Sequence, residues 1–243
     1  MVGFPDGARI VLDLEGGRPI HRGTVAVRGP CSPSREEFMG LGLSTPEARA
    51  LEFVLAWFGH PFDSVTFESA SSHELRWGAW PLSGPTLATA LCLWKQREPE
   101  AFENRLGRLG LDAIPHSDNA PALFAQDPRL LAALARAGRE RGAQRAQLEV
   151  LVTHVLRPML ASCTQTELAS GGLFASARAL ALLFHAELRF GRRGATRLVT
   201  FARERPEPPA GERLAEELRA SGHPREASEL WRILTSPELA DPA

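Results

Sequence analysis

The chain has 243 residues, 44% hydrophobic and 23% charged, with a net charge of −1, which is the balance of an ordinary globular protein able to bury a core without disulfides or metals. That balance leaves no electrostatic footprint for nucleic acid, and the arginine excess, in which Lys95 is the single lysine, reads as codon bias ahead of phosphate recognition. Cys31, Cys92 and Cys163 are odd in number and far apart, which excludes a disulfide framework and metal spacing and fits reduced thiols.

Met1 to Gly7 shows no basic segment followed by an apolar one, so Sec export is not expected, and no apolar run approaches membrane-spanning length. The expected location is the cytoplasm at synthesis, with any delivery outward by a non-Sec route and no membrane insertion. Arg9 to Leu14 and Thr24 to Arg28 are rich in β-branched residues and flank Glu15-Gly16-Gly17-Arg18-Pro19, which predicts a small N-terminal β-hairpin, with Gly29-Pro30-Cys31-Ser32-Pro33 as a linker.

Helical structure is predicted to begin after Ser44-Thr45-Pro46-Glu47, where a hydroxyl cap, a first-turn proline and an acid near the positive end of the dipole agree. Leu51, Val54, Leu55 and Phe58 continue it at i, i+3, i+4, i+7, and Gly59 ends it. Residues 60 to 85 are rich in Ser, Gly and Pro and predict loops or short strands. Helices are expected again over Pro85 to Arg97, over Pro99 to Leu106, and from Pro128, with a polar turn at His116-Ser117-Asp118-Asn119 between them.

Leu148, Leu151, Val152, Val155, Leu156 and Met159 form a clear amphipathic pattern. From Leu173 to Phe190 the apolar positions cover most of the helix circumference, and such a helix has to be surrounded by others. Gly191 after it is expected to take a left-handed C-cap, and the polar exceptions His185, Glu187 and Arg189 put at least one group toward a cleft or a partner. A short helix over Thr196 to Arg203, a stiff linker at Arg205-Pro206-Glu207-Pro208-Pro209, and two small helices between Gly211 and Leu234 complete the chain.

Three stretches carry a family resemblance: Phe58-Gly59-His60-Pro61-Phe62-Asp63-Ser64-Val65, then Trp77-Gly78-Ala79-Trp80 with Gly84-Pro85-Thr86-Leu87, then Ser176 through Phe184 to Gly191. Their order and spacing, over roughly Ser34 to Leu234, resemble the lysozyme-like peptidoglycan-hydrolase and chitosanase-like proteins of bacteria and phages. The resemblance implies a mainly α, two-lobed lysozyme-like domain around a buried central helix. Its acid would stand on the helix preceding a small β region. The expected organisation is a hairpin extension and linker over 1–33, the helical domain over 34–204, and a linker with C-terminal helices packing on that domain over 205–243.

Where that family has its first-helix glutamate this chain has Trp57 or a neighbour, and the loop acid falls near Ser71. The central-helix acid and amides become His185, Arg189 and Phe190, and the loop Ser and Gln become Arg76 and Pro81. Glycosidic cleavage needs two carboxylates across the bond. The acids at hand are Glu52, Asp63, Glu68 and Glu74, each more readily a solvated or structural carboxylate than a catalytic one.

The seven histidines have no ligand spacing, no nucleophile elbow is present, and Gly16-Gly17 and Gly171-Gly172 lack the phosphate-loop pattern, so no metal or cofactor is expected. Trp57, Phe58, Phe62, Phe67, Trp77 and Trp80 concentrate aromatic residues in one stretch. Core is the expected role for most of them, while Trp77 and Trp80, on a Gly- and Pro-rich segment beside Arg76, are expected nearer the surface.

The expected function is therefore a non-catalytic binding or scaffold protein on a degenerate hydrolase frame. Its binding cleft is assigned to Trp57, His60, Arg76, Trp77, Trp80, His185 and Arg189, and its partner is a cell-wall polysaccharide or peptide or an acidic protein. The alternatives are a peptidoglycan- or chitosan-type hydrolase using displaced carboxylates, and an accessory or immunity-type interaction protein.

Overall fold

A computed structural model describes residues 2–3, 9–10, 13–15, 18–20, 33–68, 74–107, 128–169, 171–204 and 210–240. In chain order the strands begin with β1 (Val2–Gly3), β2 (Arg9–Ile10), β3 (Asp13–Glu15) and β4 (Arg18–Ile20). Helices α1 (Arg35–Gly40) and α2 (Thr45–Phe58) follow, then β5 (Val65–Glu68), β6 (Glu74–Trp77) and β7 (Leu82–Ser83). Next come α3 (Gly84–Arg97), α4 (Pro99–Arg105), α5 (Pro128–Ala137) and α6 (Arg141–Val150), which runs through a π-helical stretch at Leu151–Leu156 into α7 (Arg157–Leu160). The chain continues through α8 (Gln165–Leu168), α9 (Ala177–Glu204), α10 (Ala210–Ala220), α11 (Pro224–Thr235) and a 3₁₀ turn at Pro237–Leu239. The protein is mainly helical, with a small three-stranded antiparallel sheet.

The chain forms two compact units: unit 1 is Met1–Ser32 with Gly59–His154, and unit 2 is Pro33–Phe58 with Val155–Ala243. In unit 1, β3 and β4 pair antiparallel with Glu15 opposite Arg18, and the return strand is Arg18–Ile20. The return strand expected at Thr24 to Arg28 lies outside the described residues, as do the polar turn at residues 116–119, the linker at 205–209 and Cys31.

Residues 65–83 form the three-stranded sheet, in the order β5-β6-β7, with Val65 opposite Trp77 and Trp77 opposite Leu82. Helix α3 packs on β6 and β7 and on α6, and α5 packs on α4 and β5. Gly138, just after α5, lets the backbone at Phe62 and Asp63 come so close that a Cβ there would strike the Phe62 carbonyl and the Asp63 backbone. Gly78 has φ 101°, and a Cβ on it would strike the Gln147 amide. Only glycine satisfies both the left-handed backbone and that approach.

In unit 2, α9 packs on α2, α10 and α11. Seven consecutive residues, Leu180 to Ala186, are buried, which is what a helix without a polar face requires. It starts at Ala177 rather than Leu173, because the Ser176 hydroxyl caps the Ala179 N–H at 3.1 Å and the Phe174 N–H is taken by the Glu167 carbonyl at 2.7 Å. Gly191 breaks the geometry with φ 63° and ψ −164°, and a second helical segment begins directly after it in place of a separate helix at Thr196. Helix α2 starts where its caps predict, the Ser44 N–H donating to the Glu47 carboxylate at 2.7 Å.

Candidate functional site

In unit 1 the residues named from the sequence serve the core. Trp77 is fully buried and its indole N–H donates to the Leu134 carbonyl at 2.9 Å. Trp80 is 7% exposed. The surface position expected for both indoles is thus corrected: the turn that carries them folds inward because the sheet and α5 offer apolar area and a buried carbonyl that an indole can satisfy. His60 and Arg76 are half-buried and both engaged by neighbours, with Arg76 opposite Thr66 and Ser83 in the sheet.

Asp63 is 3% exposed and meets the Arg139 guanidinium at 3.3 Å. Burial pushes its carboxyl above the usual range, with Arg139 pulling it back only in part. Glu68 and Glu74 occupy directly opposite register positions, the last pair of the β5–β6 ladder before the chain passes from one strand to the other. Sequence reasoning missed Gln147. Its side-chain N–H donates to the Phe62 carbonyl at 3.2 Å and its oxygen accepts from the Ala79 N–H at 3.4 Å. The signal was present: Gln147 stands in phase with the buried Ala143 and Val150 on the same helix.

Unit 2 brings His185 and Arg189 together, as their four-residue spacing requires. They converge on Glu229 of α11: His185 Nε2 lies 2.9 Å from Oε2, Arg189 Nε donates to Oε2 at 2.8 Å, and its terminal amine donates to Oε1 at 2.9 Å. Arg225, one turn before Glu229, approaches the same carboxylate at 3.5 Å. Burial works against the charge on Glu229, but the bonds from His185 and Arg189 outweigh it and hold the carboxyl down at about 2.

The same burial lowers the His185 pKa against the pull of Glu229, so the imidazole is neutral at pH 7. An ionised Glu229 accepts only, which makes Nε2 the protonated nitrogen. Its Nδ1 is buried with no hydrogen-bond partner among the described residues, and the ring meets Phe58 edge-on at 4.7 Å. Glu229 gave little warning in the sequence, because it flanks the buried Ala227, Leu230 and Ile233 instead of sharing their face.

Trp57 differs from the other named aromatic residues. It is 50% exposed, with Phe53 at 6.2 Å and the Arg232 guanidinium 4.6 Å from the ring centre. Glu52, also on α2, is paired with Arg35 at 2.7 Å. Glu187 is nearly buried at the end of the first segment of α9, its pKa raised by burial despite Arg192 at 3.4 Å.

Among the described residues no group of three or more His, Cys, Asp or Glu could hold a metal ion. Cys92 and Cys163 are free thiols, and burial pushes Cys163 up. No described helix is long and apolar enough to cross a membrane. No family model, curated protein or solved structure matches the chain.

Proposed function

We propose that this protein is a non-catalytic binding or scaffold protein on a lysozyme-like frame, recognising a carboxylate-bearing partner such as an acidic protein segment or a cell-wall peptide. The observation that carries this reading is Trp57. It stands at the end of α2, ahead of the small β5–β7 sheet, where the resemblance calls for the general acid. An indole cannot donate or take the proton that glycosidic cleavage moves, while a half-exposed one offers a contact surface. The nearby acids are otherwise engaged: Glu52 binds Arg35, Asp63 is buried against Arg139, and Glu229 is saturated by His185 and Arg189. His185 and Arg189 act within this reading as internal supports rather than as cleft lining.

Hydrolysis by displaced carboxylates turns on Glu68 and Glu74, which stand directly opposite in the strand register, since glycosidic cleavage needs two carboxyl groups across the bond. Digestion of purified peptidoglycan sacculi and of chitosan separates the two readings. No release of reducing ends is expected. Release that disappears in Glu68→Gln or Glu74→Gln would replace the binding reading with the hydrolytic one.

A further inference from the structure

We infer that Trp57, Arg232 and Arg225 form a docking surface on unit 2 for an acidic polypeptide segment carrying two carboxylates about 10 Å apart. The inference rests on the binding reading above and names the surface and the partner class.

A half-exposed indole at the end of a helix whose Leu51, Val54, Leu55 and Phe58 are buried gives up most of what burial would return. Trp57 is nevertheless held in place, between Phe53 one turn back and the Arg232 guanidinium over its ring. Little side-chain freedom is left to lose when a partner covers it, which is the condition under which an anchor contributes most to affinity. Trp and Arg are also the residue types most often found to dominate binding interfaces.

The charges on this face are unbalanced. Arg232 is exposed, and among the described residues its contact is the Trp57 ring and no carboxylate. A ring face attracts the cation but leaves the guanidinium N–H fork without an acceptor. Arg225 has a side chain 79% exposed, and its pair with Glu229 is long, 3.5 Å from Nε. It lies seven residues before Arg232, two turns along one face, or about 10 Å at 1.5 Å per residue. The carboxylate between them, Glu229, is already bonded by His185 and Arg189. The remaining acid of the helix, Glu226, is turned about 100° from Arg225 and lies 4.0 Å from His223.

The face thus presents two guanidinium forks and one aromatic surface. Its complement is two carboxylates with an apolar side chain near one of them. In a polyproline II segment, with three residues per turn and about 3.1 Å rise, two carboxylates on one face fall about three residues apart, and in a helical segment about seven.

The test titrates the full chain against fluorescein-labelled dodecapeptides that hold two glutamates at separations of one to seven residues with a leucine between them, and against the same peptides with glutamine. The glutamate peptides are expected to bind at least tenfold tighter, with an optimum at a separation of three or seven. Trp57→Ala should lose about tenfold. Arg232→Glu, a change at an exposed side chain that leaves the core intact, should abolish the preference for glutamate, and Arg225→Met should reduce it about fivefold. Equal affinity for glutamate and glutamine peptides, or unchanged binding in Trp57→Ala and Arg232→Glu, overturns the surface.

Sedimentation with sacculi separates this failure from failure of the broader reading. Trp57-dependent sedimentation without peptide binding overturns the acidic-segment partner and keeps a binding protein, whereas glycan cleavage overturns the non-catalytic reading itself.

Discussion

Asp63 in unit 1 and Glu229 in unit 2 are both carboxylates taken largely out of water, yet their pKa values move in opposite directions. Asp63 meets one guanidinium nitrogen at 3.3 Å and is pushed up by burial, while Glu229 receives a fork from Arg189 and a ring nitrogen from His185 and is held at about 2. The difference teaches that the number and geometry of donors, set against burial, decide which way a buried acid's pKa moves. The surrounding structure follows the same division. Unit 1 joins its sheet to its helices mostly with neutral groups, the Trp77 indole and the Gln147 amide, whereas unit 2 ties α9 to α11 with charge.

Removing the hub of the charged network gives the largest expected effect. Glu229→Ala leaves Arg189 partly buried and uncompensated, which costs about 3 kcal/mol in such networks. Hydrogen exchange should report loss of protection in α9 and α11 with β5–β7 unchanged. A cost below about 1 kcal/mol would show that the network behaves like a surface pair. Next in size is Gln147→Leu. It strips the Phe62 carbonyl and the Ala79 N–H of their partner, at about 2 kcal/mol, and the lost protection should appear in β5, β6 and α3 and spare α11.

Acidification should separate the units without any mutation. The His185 pKa is lower in the folded protein than its ordinary value of 6.5, so the unfolded chain binds the proton more readily. The share of unit 2 stability carried by His185 is therefore full above pH 6.5 and falls as pH drops below it, and the share carried by Glu229 is lost as it titrates between 4.5 and about 2. The groups facing His185 are Glu229, Arg189 and Glu226, and His185→Phe should flatten the first loss.

Asp63 has the opposite sign. Its folded pKa lies above 3.8, so its share of unit 1 stability is fully present below that value and is lost as pH rises through the folded pKa. Urea titrations at pH 7 and pH 3, read by exchange in each unit and repeated on Asp63→Asn, check both signs. If unit 1 weakened in parallel with unit 2 over that interval, the contrast between the two carboxylates would fail.

The smallest expected effect on stability is at Trp57. With half of its surface already in water, Trp57→Ala should cost about 1 kcal/mol or less while weakening the peptide binding described above about tenfold. A large loss of thermal stability would make Trp57 a core residue and not a contact surface.

Much of the helical framework was determined by the sequence alone. The starts at Ser44-Thr45-Pro46-Glu47, Pro85, Pro99 and Pro128, and the break at Gly191, follow from caps, proline φ and glycine's freedom, which act within one turn of chain. Burial of Leu180 to Ala186 was legible for the same reason, since a helix apolar on every side has no solvent face.

What only the tertiary structure decided is who meets whom. Glu229 lies forty residues beyond Arg189, and Leu134 lies fifty-seven beyond Trp77. Local pattern holds no information about such pairs. Trp77 and Trp57 are the same residue type in the same aromatic-rich stretch, yet the first found a buried carbonyl and the second stays half-exposed between the Phe53 ring and the Arg232 guanidinium. An indole is satisfied at either place, and which one it takes depends on the surfaces that distant helices bring to it.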